Sequence, residues 1–130
     1  MSNRIPQALI VALLAAIVFT SSTTSAAQTQ TGLASYYHDS LHGRKTASGQ
    51  IYDKHKVSVA HKTLPLGTKV KVTDVKTGRS IVARVNDRGP FVKGRIVDLS
   101  RKAAASLGMI RKGVARVKVE VLSAPKRRGI

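Results

Sequence analysis

The stretch that decides the fold is Lys69-Val70-Lys71-Val72-Thr73-Asp74-Val75-Lys76-Thr77-Gly78-Arg79-Ser80-Ile81-Val82-Ala83-Arg84-Val85. Polar and apolar residues alternate over 69–73 and nearly so over 81–85, which predicts two strands that each bury one face. Lys76-Thr77-Gly78 lies between them, and Gly78 is suited to the positive φ of a hairpin turn. The stretch therefore predicts an antiparallel β-hairpin.

Four further segments have strand character: 33–37, 57–60, 95–99 and 114–121. Ser100 is a good N-cap for one short helix over 101–107, which Gly108 ends. Six strands and one short helix indicate an all-β domain that closes into a barrel, because closure removes exposed sheet edges. A small open sandwich gives nearly the same pattern, so periodicity alone leaves barrel and sandwich open.

The first 26 residues have the composition of an export signal. Arg4 supplies the positive region, 8–19 form an apolar run, and Thr24-Ser25-Ala26 offers a small-residue cleavage site. An uncleaved anchor is the alternative, although the run is short against the roughly 20 residues of a membrane span. Because the chain contains no cysteine, it has no disulfide and no cysteine to carry a lipid. We expect a periplasmic or secreted protein without a stable membrane anchor.

The rest of the chain divides into three parts. We expect a polar lead-in at 27–31, one domain over 32–122 and a basic, disordered tail over 123–130. The sequence has 23 Lys and Arg against 6 Asp and Glu, a formal charge of +17, which attracts polyanions. Nucleic acid is the usual first candidate, but export and the shortage of aromatic residues argue against it. The cell wall, with its stem-peptide carboxylates, is the expected polyanion.

Two neighbouring motifs contain carboxylates: Val85-Asn86-Asp87-Arg88-Gly89-Pro90-Phe91 and Gly94-Arg95-Ile96-Val97-Asp98-Leu99-Ser100. A strand interior excludes Gly-Pro, so Asp87 is expected where a strand ends and the chain turns. A carboxylate on such a rim is well placed to meet a substrate. The alternative is that Asp87 and Asp98 only accept backbone hydrogen bonds in turns.

No Gly-rich phosphate loop, His-Glu-x-x-His or Gly-x-Ser-x-Gly motif is present. His38 and His42 are four residues apart, but the residues between them favour a loop over a metal-binding helix face, and we expect no metal and no cofactor. Glu120 is expected to be a solvated strand residue and Asp74 a structural residue of the hairpin turn. The candidates that remain for acid–base chemistry are Asp53, Asp87, Asp98 and His61.

Five motifs in order carry a family resemblance: Gly32-Leu33-Ala34-Ser35-Tyr36-Tyr37, Gly43-Arg44-Lys45-Thr46-Ala47-Ser48-Gly49, Ala60-His61-Lys62-Thr63-Leu64-Pro65-Leu66-Gly67-Thr68, and the two carboxylate motifs above. Together they closely resemble the rare lipoprotein A (RlpA) family of septal lytic transglycosylases. The resemblance covers about residues 32–122. It implies a six-stranded double-psi β-barrel, the fold of expansins, and so favours the barrel over the sandwich.

The resemblance also implies a reaction, which is cleavage of the β-1,4 bond between N-acetylmuramic acid and N-acetylglucosamine with a 1,6-anhydro product. Such a reaction needs one residue that donates and then accepts a proton, because the C6 hydroxyl of the muramic acid attacks the anomeric carbon. The family's active-site aspartate falls on Asp87, with His61 and Asp53 in support. Asp98 corresponds to the key aspartate of expansins and is the second candidate.

One departure from the family motif bears on catalysis. The family's Thr-Ala-Ser-Gly-Glu is Thr46-Ala47-Ser48-Gly49-Gln50 here, and an amide carries neither a proton nor a negative charge. The alternative is therefore a non-catalytic, expansin-like module that binds or loosens peptidoglycan; a basic effector acting on other polyanions is a third. We expect a monomer that contacts glycan strands through Ser48, Gln50, Tyr37 and Arg88.

Overall fold

The computed structural model describes residues 28–125. Its strands are β1 Thr29–Tyr36, β2 Val59–His61, β3 Lys69–Asp74, β4 Ser80–Asp87, β5 Arg95–Leu99 and β6 Ala115–Ser123. They form a closed barrel in the order β1-β5-β2-β4-β3-β6. β1 runs parallel to β5 and β2 parallel to β4, and the other four pairs are antiparallel. The all-β barrel is confirmed; the leader predicted over 1–26 and the last five residues of the tail lie outside the described residues.

The predicted hairpin is present as β3 and β4, paired from Lys69↔Arg84 to Thr73↔Ser80. Gly78 has φ +78°, as the turn requires. The Asp74 carboxylate is buried and accepts hydrogen bonds from the backbone N–H of Lys76 and Thr77. Asp74 is therefore a structural residue of the turn, as predicted.

The barrel interior is filled by the apolar residues of the alternating strands. Val70 and Val72 have no exposed surface, while the neighbouring lysines remain partly solvated. Each valine or leucine buried in this way stabilises the fold by about 1.5–3 kcal/mol. The buried core consists of Ala34, Val59, Val70, Val72, Ala83, Val85, Val97, Leu99, Ala103, Ala104, Leu107, Met109, Ala115, Val117 and Val119.

The first strand starts earlier than we expected. β1 begins at Thr29, so most of the segment predicted as a polar lead-in belongs to the barrel. Thr29, Gln30 and Thr31 pair with Glu120, Val119 and Lys118 of β6. These exposed polar residues show no hydrophobic period of their own, and it is the backbone ladder with β6 that makes them a strand.

One short helix, α1 (Arg101–Ser106), follows β5. Ser100 caps it, because its hydroxyl accepts a hydrogen bond from the Ala103 N–H, and Gly108 follows the helix with φ +73°. The backbone N–H of Arg101 donates to the hydroxyl of Tyr52, which joins the helix to the loop before β2. No helix among residues 28–125 is long and apolar enough to cross a membrane.

Ser100→Ala is expected to destabilise the barrel by about 1–3 kcal/mol. Ser100 is fully buried, and its hydroxyl also accepts a hydrogen bond from the Ser58 N–H at 3.0 Å, so two N–H groups lose their acceptor. Urea unfolding measures the effect. The exposed Ser106→Ala serves as the control and should change stability by no more than about 0.5 kcal/mol; an equal effect of both variants would contradict the role of Ser100.

Candidate active site

Asp87 is the last residue of β4 and lies in register with Ala60 of β2. One carboxylate oxygen, Oδ2, accepts a hydrogen bond from the phenol of Tyr37. The other, Oδ1, accepts from the backbone N–H of Ala47 at 2.8 Å. The prediction that Asp87 ends a strand is confirmed, and the carboxylate is held at both oxygens.

The loop over 44–51 is folded onto the end of β4. Within it the Thr46 N–H and hydroxyl both donate to the carbonyl of Gln50, at 2.7 and 2.8 Å. The Ser48 N–H donates to the carbonyl of Asn86, the residue before the carboxylate. Ser48 and Gln50 are exposed. The loop thus presents two polar side chains while its backbone fixes the catalytic candidate.

Tyr37 is the side chain that connects Asp87 to the rest of the site. Its ring lies against that of Tyr52, with centroids 4.4 Å apart and planes tilted by 33°. Burial, the hydrogen bond to Asp87 and the charges of Asp87 and Asp98 raise the pKa of the Tyr37 phenol far above its ordinary value. The phenol therefore keeps its proton and remains a hydrogen-bond donor to Asp87.

Asp98 lies on the other side of Ala60 from Asp87. In β5 it pairs with Ala60 of β2 and with Ser35 of β1, and its carboxylate accepts a hydrogen bond from the Ser35 hydroxyl. Two strand spacings place the backbones of Asp87 and Asp98 about 9–10 Å apart. The structure therefore brings both candidate carboxylates to the region of Tyr37.

His61 occupies a different place. It lies one residue beyond Ala60, so its side chain leaves the sheet on the face opposite Asp98. His61 is buried and lines a cavity of about 470 Å³, whose other walls are residues 28–30, 63–65 and two valines of β6. Nδ1 accepts from the N–H groups of Thr63 and Leu64, each at 3.1 Å, so Nε2 donates to Gln30 at 3.0 Å.

Stability is expected to fall as the pH is lowered from about 7 to about 5. Burial, Arg88 and Lys62 lower the pKa of His61 in the folded protein. The unfolded chain takes up the proton near its ordinary pKa of about 6.5, so it binds more protons than the folded state and folding loses free energy. Urea unfolding at several pH values measures the slope. His61→Gln should flatten it and the exposed His38→Gln should not; an unchanged slope in His61→Gln would count against this origin.

The two arginines nearest Asp87 in sequence point elsewhere. Arg88 donates through Nη1 to the carbonyls of His61 and Leu64, at 3.2 and 2.6 Å. Arg84 donates to the carbonyl of Gly67 at 2.9 Å. Within the described part of the chain no ion pair joins either guanidinium to Asp87. Arg88, the residue after Asp87, instead connects the end of β4 to the turn that follows β2.

Asp53 belongs to a group that the sequence did not reveal. Its carboxylate accepts a hydrogen bond from the His55 N–H at 2.8 Å and lies 3.9 Å from Nδ1 of His42. These contacts, the hydrogen bond foremost, lower the pKa of Asp53. Among residues 28–125 no hydrogen bond connects Asp53 with Asp87. The sequence analysis considered only the spacing of His38 and His42, whereas the structure places His42 with Asp53 and His55.

A groove of about 740 Å³ runs beside the 44–51 loop. Gln50 and Asp53 both line this groove, and so does Asn86, which lies near the end of β4. The lining residues are His42, Gly43, Gly49, Gln50, Ile51, Tyr52, Asp53, Lys56, Val57, Ser58 and Asn86. A concave site that combines apolar surface with a few polar groups is a candidate ligand-binding site.

Solved structures share this barrel. The Streptomyces papain inhibitor superposes with a TM-score of 0.59 at 29% identity, over 73% of this chain and 96% of the inhibitor. An expansin from Clavibacter michiganensis superposes with a TM-score of 0.59 at 23% identity, over 77% of this chain and 53% of the expansin. The chain therefore has the double-psi β-barrel fold.

Residues 29–119 match the family model described as lytic transglycolase. The chain is 56% identical over 91 residues to the endolytic peptidoglycan transglycosylase RlpA of Pasteurella multocida, and 49% identical over 98 residues to that of Vibrio cholerae. These matches cover 70% and 75% of this chain but 31% and 37% of the relatives, so the chain spans about a third of their length. The chain belongs to the RlpA-like family of double-psi β-barrel proteins.

Proposed function

We propose that this protein is a lytic transglycosylase that cleaves the β-1,4 bond between N-acetylmuramic acid and N-acetylglucosamine in peptidoglycan and leaves a 1,6-anhydro end. The relatives named endolytic peptidoglycan transglycosylase support the reaction class. The observation that carries the proposal is the Asp87 carboxylate, held by Tyr37 and Ala47 at the end of β4. We place its action where peptidoglycan lies, in the periplasm or outside the cell.

In this mechanism Asp87 transfers the proton. It protonates the glycosidic oxygen as the bond to N-acetylglucosamine breaks, and it then takes the proton of the C6 hydroxyl that attacks the anomeric carbon. Tyr37 and the Ala47 N–H keep the carboxyl group in one orientation during both steps. No cofactor is needed, because the nucleophile belongs to the substrate. Asp98, which Ser35 orients, is the second candidate for the same role.

His61 and Asp53 support catalysis by position. The ring of His61 holds the Thr63 and Leu64 amides, and the carbonyls of His61 and Leu64 hold the guanidinium of Arg88, the residue that follows Asp87 in the chain. His61 is thus a positioning residue that acts through Arg88. Asp53 lines the groove and offers a carboxylate to sugar hydroxyl groups.

Glycan strands are contacted along the groove. Gln50 presents its amide from the groove wall, and Ser48 presents a hydroxyl from the same loop outside the groove lining. Arg88, whose guanidinium lies at the turn after β2, has further N–H donors beyond those that hold the carbonyls. Exposed Ile51 and Val57 add apolar surface for the sugar ring faces. The formal charge of +17 attracts the protein, which we propose to be a monomer, to the anionic cell wall. Peptidoglycan rather than nucleic acid is the proposed partner.

Mass spectrometry of the soluble products tests the proposal, after incubation with intact peptidoglycan and with peptidoglycan stripped of stem peptides by an amidase. Anhydro-muramyl fragments are the expected result. Failure to release fragments from either substrate, with the protein still pelleting with insoluble peptidoglycan, would overturn catalysis. That outcome would favour the non-catalytic wall-binding module, for which Gln50 in place of the family glutamate is the specific observation.

A further inference from the structure

Two imidazoles and one carboxylate converge on the surface beside the groove. One ligand atom from each of His42, Asp53 and His55 lies within 4.8 Å of the other two. The two histidine rings are 5.6 Å apart at their centroids and nearly perpendicular, at 74°. Both histidines are exposed and Asp53 is half-buried. An ion therefore has open access from solvent and protein donors on three sides.

Backbone hydrogen bonds hold these three residues in place without any ion. Gly43 N–H donates to the carbonyl of Tyr52 at 2.9 Å, which sets His42 across from Asp53. The Asp53 carboxylate also accepts a hydrogen bond from the backbone N–H of His55, two residues further on, and so holds these two residues in a turn. The cluster is thus built by a paired loop rather than by the chance approach of long side chains.

We propose that His42, Asp53 and His55 bind one Zn²⁺ ion, with water in the remaining position. Two histidines and a carboxylate with an open fourth position form a common zinc donor set. With zinc bonds of about 2.0–2.2 Å, donors of a tetrahedral site lie about 3.3–3.6 Å apart. Because the three ligand atoms lie within 4.8 Å of one another, no gap has to close by more than about 1.5 Å. Exposed side chains on a surface loop make that adjustment by rotation.

The donor set favours zinc over the hard cations. Mg²⁺ and Ca²⁺ prefer sites made of oxygen ligands, whereas two imidazoles select borderline transition metals. His42 Nδ1 accepts a hydrogen bond from the Lys54 N–H at 3.1 Å, and binding through this atom exchanges that bond for the ion. The charges of Lys54 and Lys56 oppose a cation, so we expect micromolar rather than nanomolar affinity.

The site goes beyond the proposed enzymatic function, since it needs neither peptidoglycan nor Asp87. Its place on the groove gives it a consequence, because both His42 and Asp53 line the groove wall. A bound ion would fix the loop on that side and occupy the Asp53 carboxylate. Because metal binding is measured without peptidoglycan, a negative result for zinc does not decide whether the protein cleaves glycan, and a negative result for cleavage does not decide whether it binds zinc.

Calorimetric titration of ZnCl₂ into the full chain, prepared without a polyhistidine tag, tests the site. The variants are His42→Gln, Asp53→Asn and His55→Gln, and His38→Gln is the matched control because it removes another exposed histidine of the same region. Visible absorption of Co²⁺ reports the coordination geometry. Thermal unfolding without metal checks that each variant is folded, and zinc should raise the melting temperature of the wild type by mass action.

One zinc ion per chain is the expected result, with affinity reduced at least about tenfold in the three ligand variants and kept in His38→Gln. The Co²⁺ complex should show tetrahedral absorption bands that the His55→Gln variant loses. Failure to bind zinc at millimolar concentration would overturn the site. Stoichiometric binding that persists in His55→Gln, or that disappears in His38→Gln, would overturn it as well.

Discussion

Asp87→Asn is expected to abolish the release of anhydro-muramyl products, a loss of at least about 10²-fold in rate, while the barrel remains folded. An amide cannot donate a proton to the glycosidic oxygen or accept one from the C6 hydroxyl. The fold is retained because asparagine keeps one oxygen for the Ala47 N–H, and its amide can donate to the oxygen of Tyr37. Product mass spectrometry measures the rate and urea unfolding the stability.

Two matched variants make this experiment decisive. Asp39→Asn removes an exposed carboxylate that pairs with Arg101 at 3.4 Å, far along the chain from the β4 end, and it should leave the rate unchanged. Asp98→Asn tests the second candidate and should cost less than Asp87→Asn. Wild-type activity in Asp87→Asn, together with inactivity of Asp98→Asn, would move the proton transfer to Asp98.

The fold was predictable where the local pattern reflects the barrel directly. Burial alternates along Lys69–Asp74 because one face of the strand packs on the core and the other faces solvent. The polarity of consecutive residues follows this alternation, so the strand can be predicted from the sequence. The start of β1 was not predictable in that way. Thr29 is made part of a strand by pairing with Glu120, a residue about 90 positions away, and neither segment records that pairing in its own composition.

The candidate site was predictable in its residues more than in its arrangement. Asp87 at a strand end followed from Gly-Pro after it, whereas the side on which His61 leaves the sheet depends on the register of β2 against β5. A shift of one residue in that register would turn the ring to the other face. In the same way Asp53 and His42 meet only because the 44–51 loop pairs with itself.

Gln50→Glu is expected to raise the rate of glycan cleavage by about 10–10²-fold. The family motif has glutamate at this position. A carboxylate there would lie with Asp53 on the groove wall, in the same loop that holds Asp87 through the Ala47 N–H. Such a group can share a proton or stabilise developing positive charge on the sugar. The structure accommodates the change, because the backbone of Gln50 holds the loop through its carbonyl and N–H. Its exposed side-chain amide forms no hydrogen bond within residues 28–125, so the substitution breaks no contact.

The matched control is Gln28→Glu, which adds the same charge at an exposed glutamine on the other cavity. Both variants lower the net charge by one and weaken attraction to the wall equally, so only a local effect distinguishes them. The double variant Gln50→Glu with Asp87→Asn should be inactive, because the added glutamate assists proton transfer and does not replace it. A rate in Gln50→Glu no higher than in Gln28→Glu would mean that this barrel works without a carboxylate at residue 50. A gain that survives in the double variant would make the glutamate itself the acid, and Asp87 its support.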